Sequence, residues 1–219
     1  MSQVILFGTS NFSLLMKKYI ERFSEDVVVG FVCHAEYRET QMLGSLPVYT
    51  MEEIVGAFPP CKAKVLPTAG YTKMNTIRAK VVEEFQEMGY EFSSFIHPSV
   101  QWYGEKMGIG NIILENTTIC MNSTLGSFNI LFSGCNISHD VTIGDFNHFS
   151  PSAALSGFID IGNHCFIGTN STIKNNVEIA DFSLIGAGAY IQHSTKEYSV
   201  TVPSKSVNLD YKSSKEICL

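Results

Sequence analysis

Residues 137–166 read ISHDVT IGDFNH FSPSAA LSGFID IGNHCF in blocks of six, and each block opens with a large apolar residue. The same spacing runs without a slip from Met107 to Ile191. An α-helix repeats every 3.6 residues and an amphipathic strand every two, so neither produces it. In a parallel β-helix, each hexapeptide supplies one short strand and one corner, and three hexapeptides complete a coil. The spacing therefore predicts a β-helix of about five coils with these residues pointing inward.

The position four residues after each apolar residue is a second regular feature. It holds mostly small side chains, as at Cys135, Ala153 and Cys165, and asparagine at 111, 129 and 147. Small side chains suit a tight corner, where little room is left inside the prism. Because the register never slips, we expect no loop to be inserted into any coil between residues 107 and 191.

The N-terminal half alternates between predicted strands and helices. We expect strands at 4–7, 27–32, 65–66 and 92–96, and helices at 12–23 and 75–88. A short helix should follow Thr50, which forms a capping box with Glu53. This alternation predicts a small Rossmann-like parallel sheet. We therefore divide the chain into an α/β domain (1–98), a β-helix domain (99–195) and a C-terminal cap or tail (196–219), with the first and last covering the two ends of the prism.

Charge and composition restrict the function classes. The net charge is −6 and there is no basic cluster, which argues against nucleic acid or an anionic membrane as partner. No signal peptide or membrane-spanning apolar run is present, and none of the six cysteines forms a CxxC pair. These features predict a cytoplasmic protein with reduced thiols.

The chain resembles the left-handed β-helix acyltransferases, the hexapeptide-repeat transferases. The most specific part is residues 137–148, with a His-acid pair, then Ile-Gly-acidic-Phe, then a second His. Residues 165–170 and 184–189 are also similar to members. With the α/β half in front, the layout closely resembles bacterial nucleotide-sugar N-acetyltransferases of the PglD and VioB type, and the related sialic acid O-acetyltransferases. The resemblance implies a left-handed prism, a homotrimer and acetyl-CoA as cosubstrate.

The resemblance places the catalytic base at His139 and its acidic neighbour at Asp140. Adjacent side chains of a strand point to opposite faces, so Asp140 should not orient His139 unless a corner lies between them. His148 lies nine residues beyond His139, or one and a half faces around the coil. The two imidazoles should therefore be far apart within one chain. If both serve one site, they must come from different subunits.

The resemblance also implies two sets of binding residues. Acetyl-CoA would lie in a groove between prisms, where glycine lets the backbone approach a thin ligand; its expected contacts are His148, Gly157, Gly168, Gly186, Ala187 and Lys205. The nucleotide sugar would bind the α/β domain; its expected contacts are Gly8, Ser10, Asn11, Phe12, Gly70 and Tyr71. In the turn after the first strand, Asn11, Phe12 and Ser13 differ from the pattern usual in the family.

The resulting hypothesis is a metal-independent N-acetyltransferase for bacterial surface glycan biosynthesis, such as lipopolysaccharide O-antigen. It would acetylate the amino group of a UDP- or dTDP-linked amino-dideoxy sugar, with the 4-amino-4,6-dideoxy class first. Two alternatives stay open: an O-acetyltransferase for a sugar or sialic acid, and a non-catalytic nucleotide-sugar-binding protein. A γ-type carbonic anhydrase is excluded, because it needs two zinc-binding histidines five residues apart on one coil and the chain has no such pair.

Overall fold

The computed structural model describes residues 2–205, which form an α/β region followed by a β-helix. In the α/β region the strands are β1 (Gln3–Phe7), β2 (Val27–Cys33), β3 (Met42–Leu43), β4 (Leu46–Thr50) and β5 (Ala63–Pro67). The helices are α1 (Asn11–Phe23), α2 (Met51–Ala57) and α3 (Thr76–Glu87).

The five strands form one sheet in the order β3-β4-β2-β1-β5, and all but one of the pairings are parallel. The exception is β3, which pairs antiparallel with β4 at the edge. The capping box between Thr50 and Glu53 is present at the start of α2, as predicted. The prediction of a strand of this sheet at residues 92–96 was wrong. Phe92 makes only an isolated bridge to Val65, whereas Phe95 and Ile96 already belong to the β-helix.

The β-helix strands follow in chain order. They are β6 (Phe95–Ile96), β7 (Gln101–Trp102), β8 (Lys106–Met107), β9 (Ile112–Ile113), β10 (Thr118–Ile119), β11 (Thr124–Leu125), β12 (Ile130–Leu131), β13 (Asn136–Ile137), β14 (Val141–Ile143), β15 (His148–Phe149), β16 (Ala154–Leu155), β17 (Ile159–Ile161), β18 (Phe166–Ile167), β19 (Thr172–Ile173), β20 (Glu178–Ile179), β21 (Leu184–Ile185), β22 (Tyr190–Ile191) and β23 (Val200–Thr201).

These strands stack into the three parallel walls of a left-handed prism, which confirms the predicted architecture. Wall 1 contains β6, β9, β12, β15, β18, β21 and β23. Wall 2 contains β7, β10, β13, β16, β19 and β22, and wall 3 contains β8, β11, β14, β17 and β20. The stack extends beyond the predicted repeat by two strands before Met107 and by β23 at the other end.

The interior is a continuous apolar column. Inward residues such as Leu131, Phe149 and Ile167 are fully buried and stack one coil apart. Cys135 and Cys165 are buried in the same core, and burial raises the pKa of the first to about 12 and of the second to about 11. They are packing residues that stay protonated at neutral pH.

The corner between walls 3 and 1 encloses a ladder of asparagines. The backbone N–H of Asn129 donates to Asn111 Oδ1, and that of Asn147 donates to Asn129 Oδ1, both at 2.8 Å. The side-chain amides donate to corner carbonyls, as Asn129 Nδ2 does to Gly144 O at 3.0 Å. Each side chain is fully buried, so the ladder satisfies backbone groups that would otherwise be unpaired in the core.

Rings stack outside the same corner, one coil apart. The column contains Phe128, Phe146, His164, Phe182 and Tyr198. Neighbouring ring centroids are 4.7 to 5.3 Å apart and nearly parallel. Each of these residues has a positive φ near 57–60°, so each ring belongs to a residue at which the backbone turns sharply.

The α/β region packs on the outer face of wall 1, which corrects the expectation that it covers an end of the prism. Outward residues Ile112 and Ile130 share a buried cluster with Met16 and Ile20 of α1. The Phe128 corner joins the cluster on the opposite side of the sheet, with Phe85 of α3. Outward positions of the other walls are mostly polar, as at Thr118 and Asp160. The docking side is therefore the apolar one.

Of the predicted C-terminal segment 196–219, residues 206–219 lie outside the described part of the chain. Within residues 2–205, no helix combines the length and apolar character needed to cross a membrane.

Candidate active site

His139 lies at the corner between walls 2 and 3, where β13 ends and β14 begins. Its side chain is 53% exposed. The ring meets Phe158 edge-on, with centroids 5.2 Å apart. Gly157 lies directly against it: a Cβ added there would be 2.6 Å from His139 Cε1. Glycine at position 157 therefore provides the space that the imidazole occupies.

Asp140 contacts His139 in the same chain. The two residues lie at a corner and not within a straight strand, which is the exception to the expected alternation of side chains. Asp140 has a φ of 56°, so the chain turns and brings its carboxylate back to the preceding ring. His139 Nδ1 lies 2.7 Å from Asp140 Oδ2, and Asn122 Nδ2 donates to Asp140 Oδ1 at 3.1 Å. These hydrogen bonds, the one from His139 first, lower the pKa of Asp140. A carboxylate held as an anion can orient the imidazole and stabilise its protonated form.

His148 lies on wall 1 and is covered by residues of its own chain. It is 5% exposed and stacks on Phe166 with centroids 5.1 Å apart, while Tyr71 meets it edge-on at 5.0 Å. Burial lowers its pKa to about 3, and Nδ1 has no hydrogen-bond partner among residues 2–205. His139, at the corner between walls 2 and 3, and His148, on wall 1, lie on different parts of the prism, as expected. However, His148 faces Tyr71 within the chain, so it no longer supports the geometric argument for an oligomer.

The α/β region carries an open cleft of about 510 Å³ at the carboxyl ends of its strands. The loops after β1 and β5 form its sides. The chain after β1 continues to β2 on one side of β1, whereas β5 lies on the other side, so the connections diverge between β1 and β5. Such switch points are the usual ligand-binding places in open α/β sheets. The cleft is lined by Phe7, Gly8, Thr9, Ser10, Glu36, Tyr37, Glu39, Thr68, Ala69, Gly70, Thr72 and Ile77.

Three of the residues predicted to bind the nucleotide sugar line this cleft, namely Gly8, Ser10 and Gly70. Gly8 has a φ of 123°, and an added Cβ would be 2.8 Å from Ser13 Oγ, so the turn requires glycine. Ser10 caps α1 by accepting a hydrogen bond from Ser13 N. The first turn of α1 can therefore offer backbone N–H groups to an anion.

The other three predicted residues lie away from the cleft lining. Asn11 is the exposed first residue of α1. Phe12 packs on Phe132 of the β-helix with centroids 5.4 Å apart, and Tyr71 packs on His148 and Phe166. Both aromatic residues thus face the junction between the two halves of the chain. Sequence reasoning missed Glu36, Tyr37 and Glu39, which follow β2 and line the cleft.

The residues predicted to contact acetyl-CoA are divided between corners. Gly157 belongs to the His139 corner, whereas Gly168, Gly186 and Ala187 lie where wall 1 turns into wall 2. A Cβ at Gly168 would be 2.5 Å from Ala187 N, so successive coils are in close contact there. Lys205 is exposed near the end of the described chain. Within one prism these groups do not converge on one place.

Arg78 of α3 was not predicted as a site residue, yet it is fully buried. Its guanidinium donates to five backbone carbonyls and one side-chain oxygen: Ala69 O, Gly70 O, Phe128 O, Phe146 O, Asn147 O and Asn75 Oδ1, at 3.0 to 3.3 Å. Burial lowers its pKa to about 9, so it stays charged at neutral pH. Its acceptors are mainly backbone atoms, which carry no sequence signal.

Within residues 2–205, no three His, Cys, Asp or Glu side chains gather closely enough to hold a metal ion.

The family model described as bacterial transferase hexapeptide (six repeats) matches residues 158–193. A comparison with curated protein sequences found no match.

Several solved structures share the fold over nearly the whole chain. One is a mutant of perosamine N-acetyltransferase from Caulobacter crescentus in complex with CoA and GDP-perosamine, with a TM-score of 0.82 and 20% identity, covering 93% of this chain and 94% of that one. Another is the acetyltransferase domain of PglB from Neisseria gonorrhoeae, with a TM-score of 0.80 and 20% identity over 93% and 97% of the chains. WeeI from Acinetobacter baumannii has a TM-score of 0.78 and 21% identity over 93% and 97%.

Proposed function

We propose that the chain is an acetyl-CoA-dependent N-acetyltransferase acting on the amino group of a nucleotide-linked amino sugar. The observation that carries this proposal is the His139–Asp140 pair, exposed at a prism corner against Gly157. A separate cleft in the α/β region provides a place for a second substrate. The similar structures support the same reading, since one of them is a perosamine N-acetyltransferase with CoA and GDP-perosamine.

In the proposed reaction His139 accepts a proton from the acceptor amine as its nitrogen attacks the thioester carbonyl carbon. The carboxylate of Asp140, 2.7 Å from Nδ1, stabilises the imidazolium that forms. The backbone N–H of Gly157, next to the ring, is our candidate donor to the developing oxyanion. When the carbon–sulfur bond breaks, the CoA sulfur takes up the proton from His139, so the base is regenerated.

We further propose that the site lies between chains of a homotrimer. His139 and Gly157 lie at one corner, and Gly168, Gly186 and Ala187 lie at another. A second prism can bring its own copy of the second corner to the first, so acetyl-CoA would lie in the groove between them. Lys205, also exposed, is expected near the phosphates of CoA.

For the acceptor we propose the α/β cleft. No basic side chain is among the described residues that line it, so the first turn of α1 would face the diphosphate. Tyr37 offers a face for stacking the base, and Glu36 and Glu39 can accept hydrogen bonds from it or from the ribose. The 4-amino-4,6-dideoxy sugars remain the first candidates. GDP joins UDP and dTDP as a carrier to be tested, because GDP-perosamine is bound in a similar structure.

A thiol-release assay with acetyl-CoA tests the function. The acceptor panel should pair UDP-, dTDP- and GDP-linked amino-dideoxy sugars with analogues in which a hydroxyl replaces the amine. We expect CoA release and an amide product with an amino sugar only. Release with the hydroxyl analogues alone would establish the O-acetyltransferase alternative, and binding without release would establish the non-catalytic one. His139→Ala should lower kcat by about 10²–10⁴-fold, and near-wild-type turnover would contradict its role as base.

The proposed setting is the bacterial cytoplasm, where nucleotide-linked sugars and acetyl-CoA would be available for surface glycan synthesis. Lipopolysaccharide O-antigen is the first such glycan to examine.

A further inference from the structure

The buried guanidinium of Arg78 connects the two halves of the molecule. On the α/β side it donates to Ala69 O at 3.1 Å and Gly70 O at 3.3 Å, and both residues line the cleft. On the β-helix side it donates to Phe146 O at 3.0 Å and Asn147 O at 3.1 Å. Among residues 2–205 it has no carboxylate partner. One cation therefore fixes two backbone segments that belong to different domains.

These segments carry the rings that meet at the junction. Tyr71 follows Gly70, and His148 follows Asn147; their ring centroids are 5.0 Å apart. The carbonyls held by Arg78 are thus one residue away from this contact on each side. A shift of either backbone segment would move the cleft relative to wall 1.

The turn between Tyr71 and Arg78 is held in a costly conformation. Lys73, Met74 and Asn75 have φ values of 50°, 51° and 63°, a backbone conformation that residues other than glycine rarely adopt. Such strain persists only where surrounding contacts impose it. Asn75 provides these contacts: its Oδ1 accepts from Arg78, and its Nδ2 donates to Cys165 O at 3.2 Å. The cleft loop is therefore attached to the β-helix at several points.

We propose that Arg78 is a positioning residue that sets where the acceptor cleft lies relative to the β-helix, which carries the acyl-transfer residues His139 and Gly157. The inference rests on the proposed function, because it concerns how that acceptor is presented. A planar fork is required, since lysine has the charge but cannot reach carbonyls on both sides at once. The proposed acetyl-CoA contacts Gly168, Gly186 and Ala187 lie where wall 1 turns into wall 2, and none of them is bonded to Arg78, so the donor half of the site does not depend on it.

The test compares Arg78→Lys with wild type and with Arg22→Lys, an exposed control with the same chemical change. At a temperature where all three are folded, kcat/KM for the nucleotide sugar should fall about 10²-fold in Arg78→Lys only, as expected for a misplaced substrate. The KM for acetyl-CoA should stay within about twofold, because that half is unchanged. Unchanged acceptor kinetics, or an equal loss for both substrates, would overturn the proposal.

Two further measurements keep the test decisive. If Arg78→Lys does not fold, Asn75→Ala removes one acceptor of Arg78 and the bond to Cys165 O, and it should show the same selective loss at smaller size. Hydrogen exchange of amides 69–75 gives a readout independent of activity. It should increase in either variant while exchange in 172–191, which contains no partner of Arg78 or Asn75, stays unchanged. If wild type transfers no acetyl group, the proposed function fails, whereas unchanged exchange refutes the role of Arg78.

Discussion

His139 and Asp140 meet because the chain turns between them. The alternation of side chains along a strand predicted opposite faces, but the φ of 56° at Asp140 places the pair on a corner. The sequence pattern thus identified the two residues, whereas their contact depended on one backbone angle. That angle could have been anticipated, since Asn122, one coil before, and Asn176, two coils after, are residues of a type that tolerates the left-handed region.

Gly157→Ala tests whether the position of the His139 ring matters. The new Cβ would lie 2.6 Å from Cε1, and because the imidazole is more than half exposed it can rotate away. We expect kcat to fall by at least about tenfold while the melting temperature changes little. Gly56→Ala is the control: it meets nothing within 4 Å in α2 and should increase the free energy of unfolding by about 0.5–1 kcal/mol. A folded Gly157→Ala enzyme with normal kcat would refute this role.

His148 predicts a pH dependence of stability. Its pKa falls from 6.5 in the unfolded chain to about 3 in the fold. Below pH 6.5 the unfolded state therefore binds a proton that the folded state does not, and stability falls as the pH drops towards 3. From pH 7 to pH 5 the loss should be about 2 kcal/mol. Denaturant unfolding of wild type and His148→Phe at both values isolates this contribution. Equal losses in the two proteins would contradict it.

At the scale of elements, the six-residue spacing predicted the interior well because each inward residue repeats with the coil. A second pattern in the same sequence concerns the outward positions. Outward positions on wall 1 include Phe95, Ile112, Ile130, His148, Phe166, Leu184 and Val200, whereas those of the other walls are mostly polar. That apolar column indicates which side the α/β region covers. The strand expected at 92–96 was misassigned because a short apolar run does not identify the sheet to which it belongs.

The asparagine ladder should contribute strongly to stability. Asn129→Ala removes the acceptor of Asn147 N and the donor to Gly144 O, leaving both backbone groups buried without these partners. We expect a loss of about 2–4 kcal/mol in the free energy of unfolding. Asn136→Ala, on the exposed face of β13, should change it by less than about 0.5 kcal/mol. Similar effects of the two substitutions would show that the ladder is dispensable.

At the scale of the whole molecule, the proposed donor and base residues lie at different corners, and the proposed homotrimer would bring them together from two chains. Mixing tests this directly. His139→Ala lacks the base, and Ala187→Trp places a large ring at an exposed position of the other corner. Each variant should be inactive alone. When the two are denatured together in equal amounts and reassembled, about a quarter of the interfaces between subunits would pair an intact His139 with an intact Ala187. No recovery of thiol release would place the site within one chain.

Several features of the whole molecule could not be obtained from the sequence. The contacts that join the halves, such as Arg78 with Phe128 O and Asn147 O, use backbone atoms that every residue has. The cleft is likewise formed by loops after β1, β2 and β5 that are far apart in the chain. Periodic patterns in a sequence identify strands and helices, whereas these contacts depend on how the strands and helices pack together.

The side-on attachment of the α/β region also bears on how such chains can change length. The junction contacts described above end at Phe166, and the coils beyond it continue the same 18-residue register through Ile185. Repeat units of this kind contribute to stability mainly through their nearest neighbours. Duplicating one whole coil in that region would therefore lengthen the prism and leave the cleft and the His139 corner unchanged, whereas deleting one would remove part of the proposed acetyl-CoA corner at Gly168, Gly186 and Ala187. The C-terminal end of the prism can thus be extended without altering the α/β region.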